Sequence, residues 1–321
     1  MQIGNRHIRL GVLDIGSNTV HMLIVDAAPG ARPEPEASNR TVVRMMQYLK
    51  DDGTIKKSGV KAILAAVDNA MKLAEQYEVT SVVPIATSAL RDAPNGPKIL
   101  VQIEQRIGQG VSVLSGPDEA RLTFLAARRW YGWGAGRLLV LDIGGGSLEV
   151  ASGVDEEPDK AMSVPAGAGR VTHKFLPDGT ADAKQLEKVR KKVRNIIEPM
   201  VKEFANAKRP DHVVATSKTF RTLARLAGSK VKTIGSDESW RMNRAQLEDW
   251  IPRLALIAPE QRVALPGITP ERTNQIVGGA VVADEIMKAL NIDEIEICPW
   301  ALREGAILRW LDQFGRTRFG F

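Results

Sequence analysis

The chain carries one short unit twice. Leu10–Val25 reads LGVLDIGSNTVHMLIV, and Leu139–Val150 reads LVLDIGGGSLEV. Each is an apolar run, an Asp-Ile-Gly, a short polar or glycine-rich turn, and a second apolar run. Apolar runs without alternation suit strands covered on both faces. An Asp at the end of such a strand is costly unless it has partners or work to do. The turn that follows exposes backbone N–H groups, and a nest of that kind binds phosphate oxygens. Gly144, Gly145, Gly146 and Ser147 allow close approach, since the three glycines have no Cβ. Ser17, Asn18 and Thr19 add hydroxyl and amide donors. Either turn alone is equally an ordinary hairpin. The two together argue that one chain holds two copies of a phosphate-binding device.

The remaining pattern predicts the architecture. Residues 28–38, APGARPEPEAS, read as a Pro-rich surface loop, and Thr41–Leu49 as a third strand. Val60, Ile63, Leu64, Val67 and Met71 recur at helical spacing after Ser58. Val79–Thr87 reads as a buried strand ending in the polar loop SALRDAPNG, and Val111–Leu114 as a further strand. In SGPDEARLTFLAARRW, Pro117 suits a helix start, with Asp118 and Glu119 in the first turn. After the break at Gly132–Gly136 the same order of strands and helices approximately returns. Such alternation predicts the α/β class, and 321 residues suffice for two domains.

Composition narrows the function. There are 44 basic and 38 acidic residues, a net +6 that mildly favours anionic ligands. A single cysteine, Cys298, excludes an intrachain disulfide and a four-cysteine zinc site. No apolar run is long enough to span a bilayer, and MQIGNRHIRL has no signal-peptide core, so a soluble cytoplasmic protein without a membrane partner is expected. No nucleic-acid partner is expected either, because no aromatic interleaving or known module accompanies the basic stretches. Asp14 and Asp142 would repel phosphate directly, and a divalent ion between them resolves the conflict. Mg²⁺ held by one or two carboxylates plus phosphate is the usual arrangement. Glu149 could also reach the metal, or could be a solvated strand charge.

The motifs DIGSNTVHMLIV, ATSALRDAPN, SGPDEARLTF, LVLDIGGGSLEV, SVPAGAGRVT, TSKTFRTLA and ALREGAIL stand in order along essentially the whole chain. Together they resemble the exopolyphosphatase / guanosine pentaphosphate phosphohydrolase family, in its short two-domain form. The resemblance implies two actin-like (ribonuclease H-like) α/β domains with a cleft between them. With the boundary at the Gly132–Gly136 break, the domains are expected at residues 1–130 and 131–303, and the resemblance implies that a last helix at 304–321 returns to the first domain. It implies Glu119 as the catalytic glutamate that deprotonates the attacking water, and Arg91 as an arginine near the site. Asp142 and Glu149 match the metal-binding acids, to which the reading of the two turns adds Asp14, and the cofactor would be Mg²⁺ or Mn²⁺. Gly144–Ser147 and Ser17–Thr19 match the two phosphate loops. Lys218 is read as a phosphate contact or, equally, as a solvated lysine at a helix start. The implied substrate is inorganic polyphosphate, with guanosine pentaphosphate as the alternative. A homodimer is also implied.

Two other classes compete. An actin-like kinase lacks an identifiable apolar sugar pocket here, and a non-catalytic polyphosphate or alarmone sensor would make Glu119, Asp142 and Glu149 dispensable. Two departures from the family pattern stand out. Leu148 replaces a common threonine, removing a hydroxyl expected to touch phosphate or metal. Asn274 replaces a common aspartate, which would alter metal binding if that acid touched the metal. Along the helix that Asp182 opens, running to residue 206, Lys188, Arg190, Lys191, Lys192 and Arg194 form either a solvated face or a track for a polyanion. Arg170, His173 and Lys174 follow the SVPAGAG loop, placed for substrate, whereas His21 is expected to pack within the first strand pair.

Overall fold

A computed structural model describes residues 8–28, 32–233 and 236–319. Part of the Pro-rich loop, residues 29–31, lies outside them, as do the first seven and last two residues. The chain divides into two units, one of residues up to Ser115 together with those from Leu302, the other Gly116–Ala301.

The first unit holds β1 (Ile8–Ile15), β2 (Thr19–Ala27), β3 (Glu34–Val42), α1 (Lys57–Gln76), β4 (Ser81–Ala86), α2 (Ser88–Asp92), α3 (Gly96–Ile107) and β5 (Ser112–Val113). Its sheet has the order β3-β2-β1-β4-β5. The first three strands are antiparallel, and β4 and β5 continue parallel to β1. Leu13, Ile15, Met22 and Ile24 pack under α1 and α3 on one face. Leu10, Val12, Leu23 and Val25 meet Ala306, Ile307 and Leu311 on the other.

The second unit holds α4 (Gly116–Tyr131), β6 (Leu138–Ile143), β7 (Leu148–Gly153), β8 (Lys160–Val164), α5 (Ala168–Phe175), α6 (Ala183–Phe204), β9 (His212–Ala215), α7 (Ser217–Ala227), β10 (Gly228–Thr233), β11 (Ser236–Asn243), α8 (Arg244–Leu256), α9 (Ile276–Ala289) and β12 (Glu294–Ile297). The final helix, α10 (Leu302–Phe319), belongs to the first unit. The second sheet runs β10-β11-β12-β9-β6-β7-β8. Read from β8, its first five strands repeat the order of the first sheet, with the antiparallel β11 and β10 added beyond β12. The duplication in the sequence is therefore a duplication of topology.

Three expectations are corrected. The Pro-rich segment contains the edge strand β3, where Pro35 is tolerated because an edge needs no complete ladder. Its side chains alternate between exposed and half-buried, which gives no apolar signal. Met45–Tyr48, expected as strand, is a short 3₁₀ turn. The units part at Ser115, not near residue 130, because Ala120, Phe124 and Ala127 of α4 pack on Leu138, Val140, Ala151 and Val214 of the second sheet. The Gly132–Gly136 break is a pinned turn within the second unit. The buried Arg128 guanidinium donates to the carbonyls of Gly132, of Gly136 (2.6 Å) and of Val154 (2.9 Å).

Candidate active site

Both Asp-Ile-Gly turns close in the same way. Gly16 N–H bonds Thr19 O at 3.0 Å, and Gly144 N–H bonds Ser147 O at 3.0 Å. The carbonyls of each turn are tied to the segment that follows the third strand. In the first, Asn18 O accepts from the N–H groups of Val43 and Arg44, and Ser17 O from that of Met45, each at 2.9 Å. In the second, Gly144 O accepts from Ala168 N (3.0 Å), Gly145 O from Arg170 N (2.9 Å) and Gly146 O from Arg170 Nε (2.7 Å). Gly167 lies flat on this turn, and any Cβ there would overlap the backbone of Gly145, Gly146 and Ser147. Ser17, Asn18, Gly146 and Ser147 are buried, while Thr19, Gly144 and Gly145 are half-buried.

The strand alternation then decides which side chains share a face. On β6, Leu138 and Val140 face α4, and so does Asp142. On β7 the same face carries Ala151 and Glu149. Asp142 and Glu149 are direct cross-strand partners, and Glu149 in turn pairs with Ser163 of β8. Ser163 Oγ donates to Glu149 Oε1 at 2.8 Å. On the other flank, Thr216 follows the last residue of β9, and its Oγ1 donates to Asp142 Oδ2. A row Thr216, Asp142, Glu149, Ser163 thus crosses the second sheet. The first turn of α4 lies over its end. Gly116 meets Ser163 with no room for a Cβ, and Glu119, one helical turn on, is only 7% exposed. Glu119, which the sequence left between the copies, belongs to the second unit together with Asp142 and Glu149.

The corresponding row of the first unit has different chemistry. Asp14 pairs across the strands with His21, the position Glu149 holds in the other copy. Arg303, at the start of α10, reaches His21 Nδ1 and stands 3.8 Å from Asp14 Oδ2. One copy answers its aspartate with an arginine and a histidine. The other sets two carboxylates opposite each other across the strands, each bonded by a hydroxyl. Arg91 sits in α2 of the first unit, where its Nη1 donates to Leu114 O at 2.8 Å and its Nε to Asp92 at 3.1 Å. Ser88, in the same helix, shares a 2.8 Å hydrogen bond with Ser17 of the first turn. Lys218 of the second unit is paired with Glu271 at 2.8 Å.

Several expectations change. Leu148 is fully buried in the main core of the second unit, on the face away from Glu149, so its missing hydroxyl is not missing from the acidic row. Asn274 lies against Gly179, in the turn before α6. Arg190 and Arg194 are not a free polyanion track. Arg190 is bonded to the buried Asp284 and, at 2.7 Å, to Glu285 of α9, and Arg194 reaches Glu285 at 3.4 Å. Burial works against the Arg190 charge, and the bonds to Asp284 and Glu285 outweigh it, holding the guanidinium above its ordinary pKa. Lys188, Lys191 and Lys192 stay exposed. Sequence reading missed the roles of Thr216 and Ser163. The signal for Thr216 was a second repeat: Ala86-Thr87-Ser88 ends β4 and Ala215-Thr216-Ser217 ends β9.

Two units of common strand order, each opening on an Asp-Ile-Gly hairpin, define an actin-like fold. Solved structures agree. An exopolyphosphatase from Cytophaga hutchinsonii superimposes with a TM-score of 0.83 at 23% identity, over 95% of this chain and 98% of that one. The Aquifex aeolicus member of the Ppx/GppA family does so with a TM-score of 0.74 at 22% identity, over 96% and 98%. Residues 23–314 match the Ppx/GppA phosphatase family, and the chain belongs to it. Exopolyphosphatase 1 of Mycobacterium tuberculosis is 45% identical over 306 residues, 95% of this chain and 89% of that protein. Exopolyphosphatase 1 of Mycobacterium leprae is 43% identical over 305 residues, covering 95% and 90%.

Proposed function

We propose that the protein is a divalent-metal-dependent exopolyphosphatase, which hydrolyses the terminal phosphoanhydride of inorganic polyphosphate and releases phosphate. The observation that carries this reading is the acidic row of the second unit, with Glu119, Asp142 and Glu149 beside a glycine-rich turn. The names of the Mycobacterium relatives favour polyphosphate over guanosine pentaphosphate.

Glu119 is the group assigned to the water. A carboxylate that accepts the water's proton as the water's oxygen attacks the terminal phosphorus makes hydrolysis, not transfer to a bound alcohol, the outcome. Asp142 and Glu149 would hold Mg²⁺ or Mn²⁺. Like charges directly opposite on adjacent strands oppose each other, and a cation between them relieves that cost. Among the described residues no three His, Cys, Asp or Glu side chains are gathered as a metal-ligand set. Two carboxylates suffice for Mg²⁺, which completes its shell with water and substrate phosphate. The ion would supply charge neutralisation for the phosphoryl oxygens. Asp14, whose charge is answered by Arg303, is assigned to that ion pair. Gly144–Ser147 and Ser17–Thr19 are assigned to phosphate oxygens. Arg91, whose fork suits phosphate, and Lys218, once it leaves Glu271, are assigned to further phosphates of the chain. The cytoplasm is the compartment inferred, and the lone, buried Cys298 suits it.

The test is phosphate release from polyphosphates of several lengths, guanosine pentaphosphate and ATP, for wild type and Glu119→Gln with Mg²⁺ or Mn²⁺. Removing the general base lowers kcat by about 10²- to 10⁴-fold, while polyphosphate binding is retained. Undiminished turnover in Glu119→Gln overturns the assignment, and preferential turnover of guanosine pentaphosphate overturns the substrate.

A further inference from the structure

We propose that Thr216 and Ser163 are positioning residues for the divalent cation, each holding one of the paired carboxylates by a hydroxyl hydrogen bond. The inference rests on the reading that Asp142 and Glu149 hold the cation. It adds which residues set the orientation of those two acids.

Thr216 is fully buried, and its backbone is fixed because its N–H bonds Leu141 O at 2.9 Å. A β-branched side chain has few χ1 choices, so a fixed backbone fixes the hydroxyl, which donates to Asp142 Oδ2. The comparison of the two copies shows that this placement is particular to the second. In the first sheet Ala86 of the Ala-Thr-Ser repeat pairs with Ile15, one residue after Asp14. In the second, Ala215 pairs with Leu141, one residue before Asp142. The two-residue shift keeps the face and carries Thr216 level with Asp142. Opposite Asp14 stands Ile85, which has no donor to offer.

Ser163 does the same for Glu149 at 2.8 Å. It is pinned in turn by Gly116, the first residue of α4, where a Cβ would overlap the serine side chain. The helix that carries Glu119 therefore leans on the hydroxyl that orients Glu149. Two acids opposed across a strand pair would otherwise swing apart. A donor on each outer flank holds them side by side. Groups that orient metal-binding side chains in this way are worth about 10- to 100-fold in metal affinity.

The experiment is a Mn²⁺ titration of the substrate-free full-length protein, followed by electron paramagnetic resonance of the unbound ion. Thermal melting without metal checks that each variant is folded. Thr216→Val, which keeps the shape and removes the hydroxyl, and Ser163→Ala should each weaken Mn²⁺ by about 10- to 100-fold. Thr216→Ser, which keeps the hydroxyl, should stay near wild type. A Thr216→Val protein that binds Mn²⁺ like wild type overturns the inference, as does a Thr216→Ser protein as weak as Thr216→Val. The double variant Asp142→Asn with Glu149→Gln separates the two levels. If it keeps Mn²⁺, the cation reading itself falls. If it loses Mn²⁺ while Thr216→Val and Ser163→Ala retain it, the cation reading stands and the positioning roles fall.

Discussion

Gly167 offers the most direct test of how the second Asp-Ile-Gly turn is held. Its φ of −69° and ψ of 152° are ordinary for any residue, so alanine brings no backbone strain. What alanine brings is a Cβ within 2.5 Å of the Gly145 carbonyl carbon, and closer still to Gly146 and Ser147, where ordinary contact begins at 3.4 Å. All three neighbours are backbone atoms, which cannot rotate away as a side chain could. Either the turn or the start of α5 must move by about 1 Å, a displacement that costs on the order of 10²-fold in a catalytic geometry. The movement also stretches the bonds from Ala168 N and from Arg170 N and Nε to the turn carbonyls. Overpacking of this kind costs about 1–3 kcal/mol. In a unit of this size that lowers Tm by about 2–12 °C.

The assay is calorimetry together with steady-state phosphate release from polyphosphate. Gly167→Ala should melt earlier and lose kcat/KM by about 10²-fold. Gly108→Ala is the control. Gly108 has a φ of +73° and nothing within 4 Å of its would-be Cβ, so the same substitution there meets only conformational strain. It should cost about 1 kcal/mol and leave kcat/KM unchanged. Wild-type melting and kinetics in Gly167→Ala would refute the argument that this glycine holds the turn. An equal kinetic loss in Gly108→Ala would show that the effect is not local.

Further outcomes follow from the ion pairs. Arg190→Met leaves Asp284 and Glu285 buried without their main partner and should cost about 3–5 kcal/mol in urea unfolding. Arg194→Ala, at a half-exposed position, should cost no more than about 1 kcal/mol. Glu271→Gln removes the charge of the Lys218–Glu271 pair and should lower KM for polyphosphate by about 2- to 5-fold, whereas Lys218→Met should raise it. A Glu271→Gln enzyme with unchanged KM would assign Lys218 to structure alone.

Much of this was legible because the decisive residues sit at the ends of strongly apolar strands. Leu138–Leu141 could only be a buried strand, and Asp142 at its end stood out for that reason. The edge strand β3 was illegible because an edge strand with one solvated side needs no apolar pattern, and Pro35 argued against it. The unit boundary was misplaced because Gly132–Gly136 looks like a hinge in sequence. What makes it rigid is Arg128, a residue on the preceding helix whose burial nothing local announces. Charge patterns misled in a similar way. KVRKKVR reads as a basic face, but Asp284 and Glu285, which claim Arg190 and Arg194, lie on a helix some ninety residues further along the chain. Leu148 misled by the opposite route. A comparison of residue types flagged a lost hydroxyl, whereas the period of two along β7 already turned that side chain away from Glu149 and into the core.

The duplicated fold repeats one arrangement of helix and sheet in each half. Each half ends with a helix that follows its fifth strand, and each helix packs on the other half's sheet: α4 follows β5 and covers β6 and β7, and α10 follows β12 and covers β1 and β2. The exchange brings Arg303, at the start of α10, to Asp14, and Gly116, at the start of α4, to Ser163 of the row that holds Asp142. At that position the two copies have diverged in charge. In the first, α10 brings Arg303 to Asp14, and the cross-strand residue is His21, so the row neutralises itself. In the second, α4 carries Glu119, the cross-strand residue is Glu149, and Thr216 and Ser163 donate hydroxyls to Asp142 and Glu149. Duplication alone would have produced two equivalent turns. The residues beside the turns, and not the turns themselves, set the two copies apart.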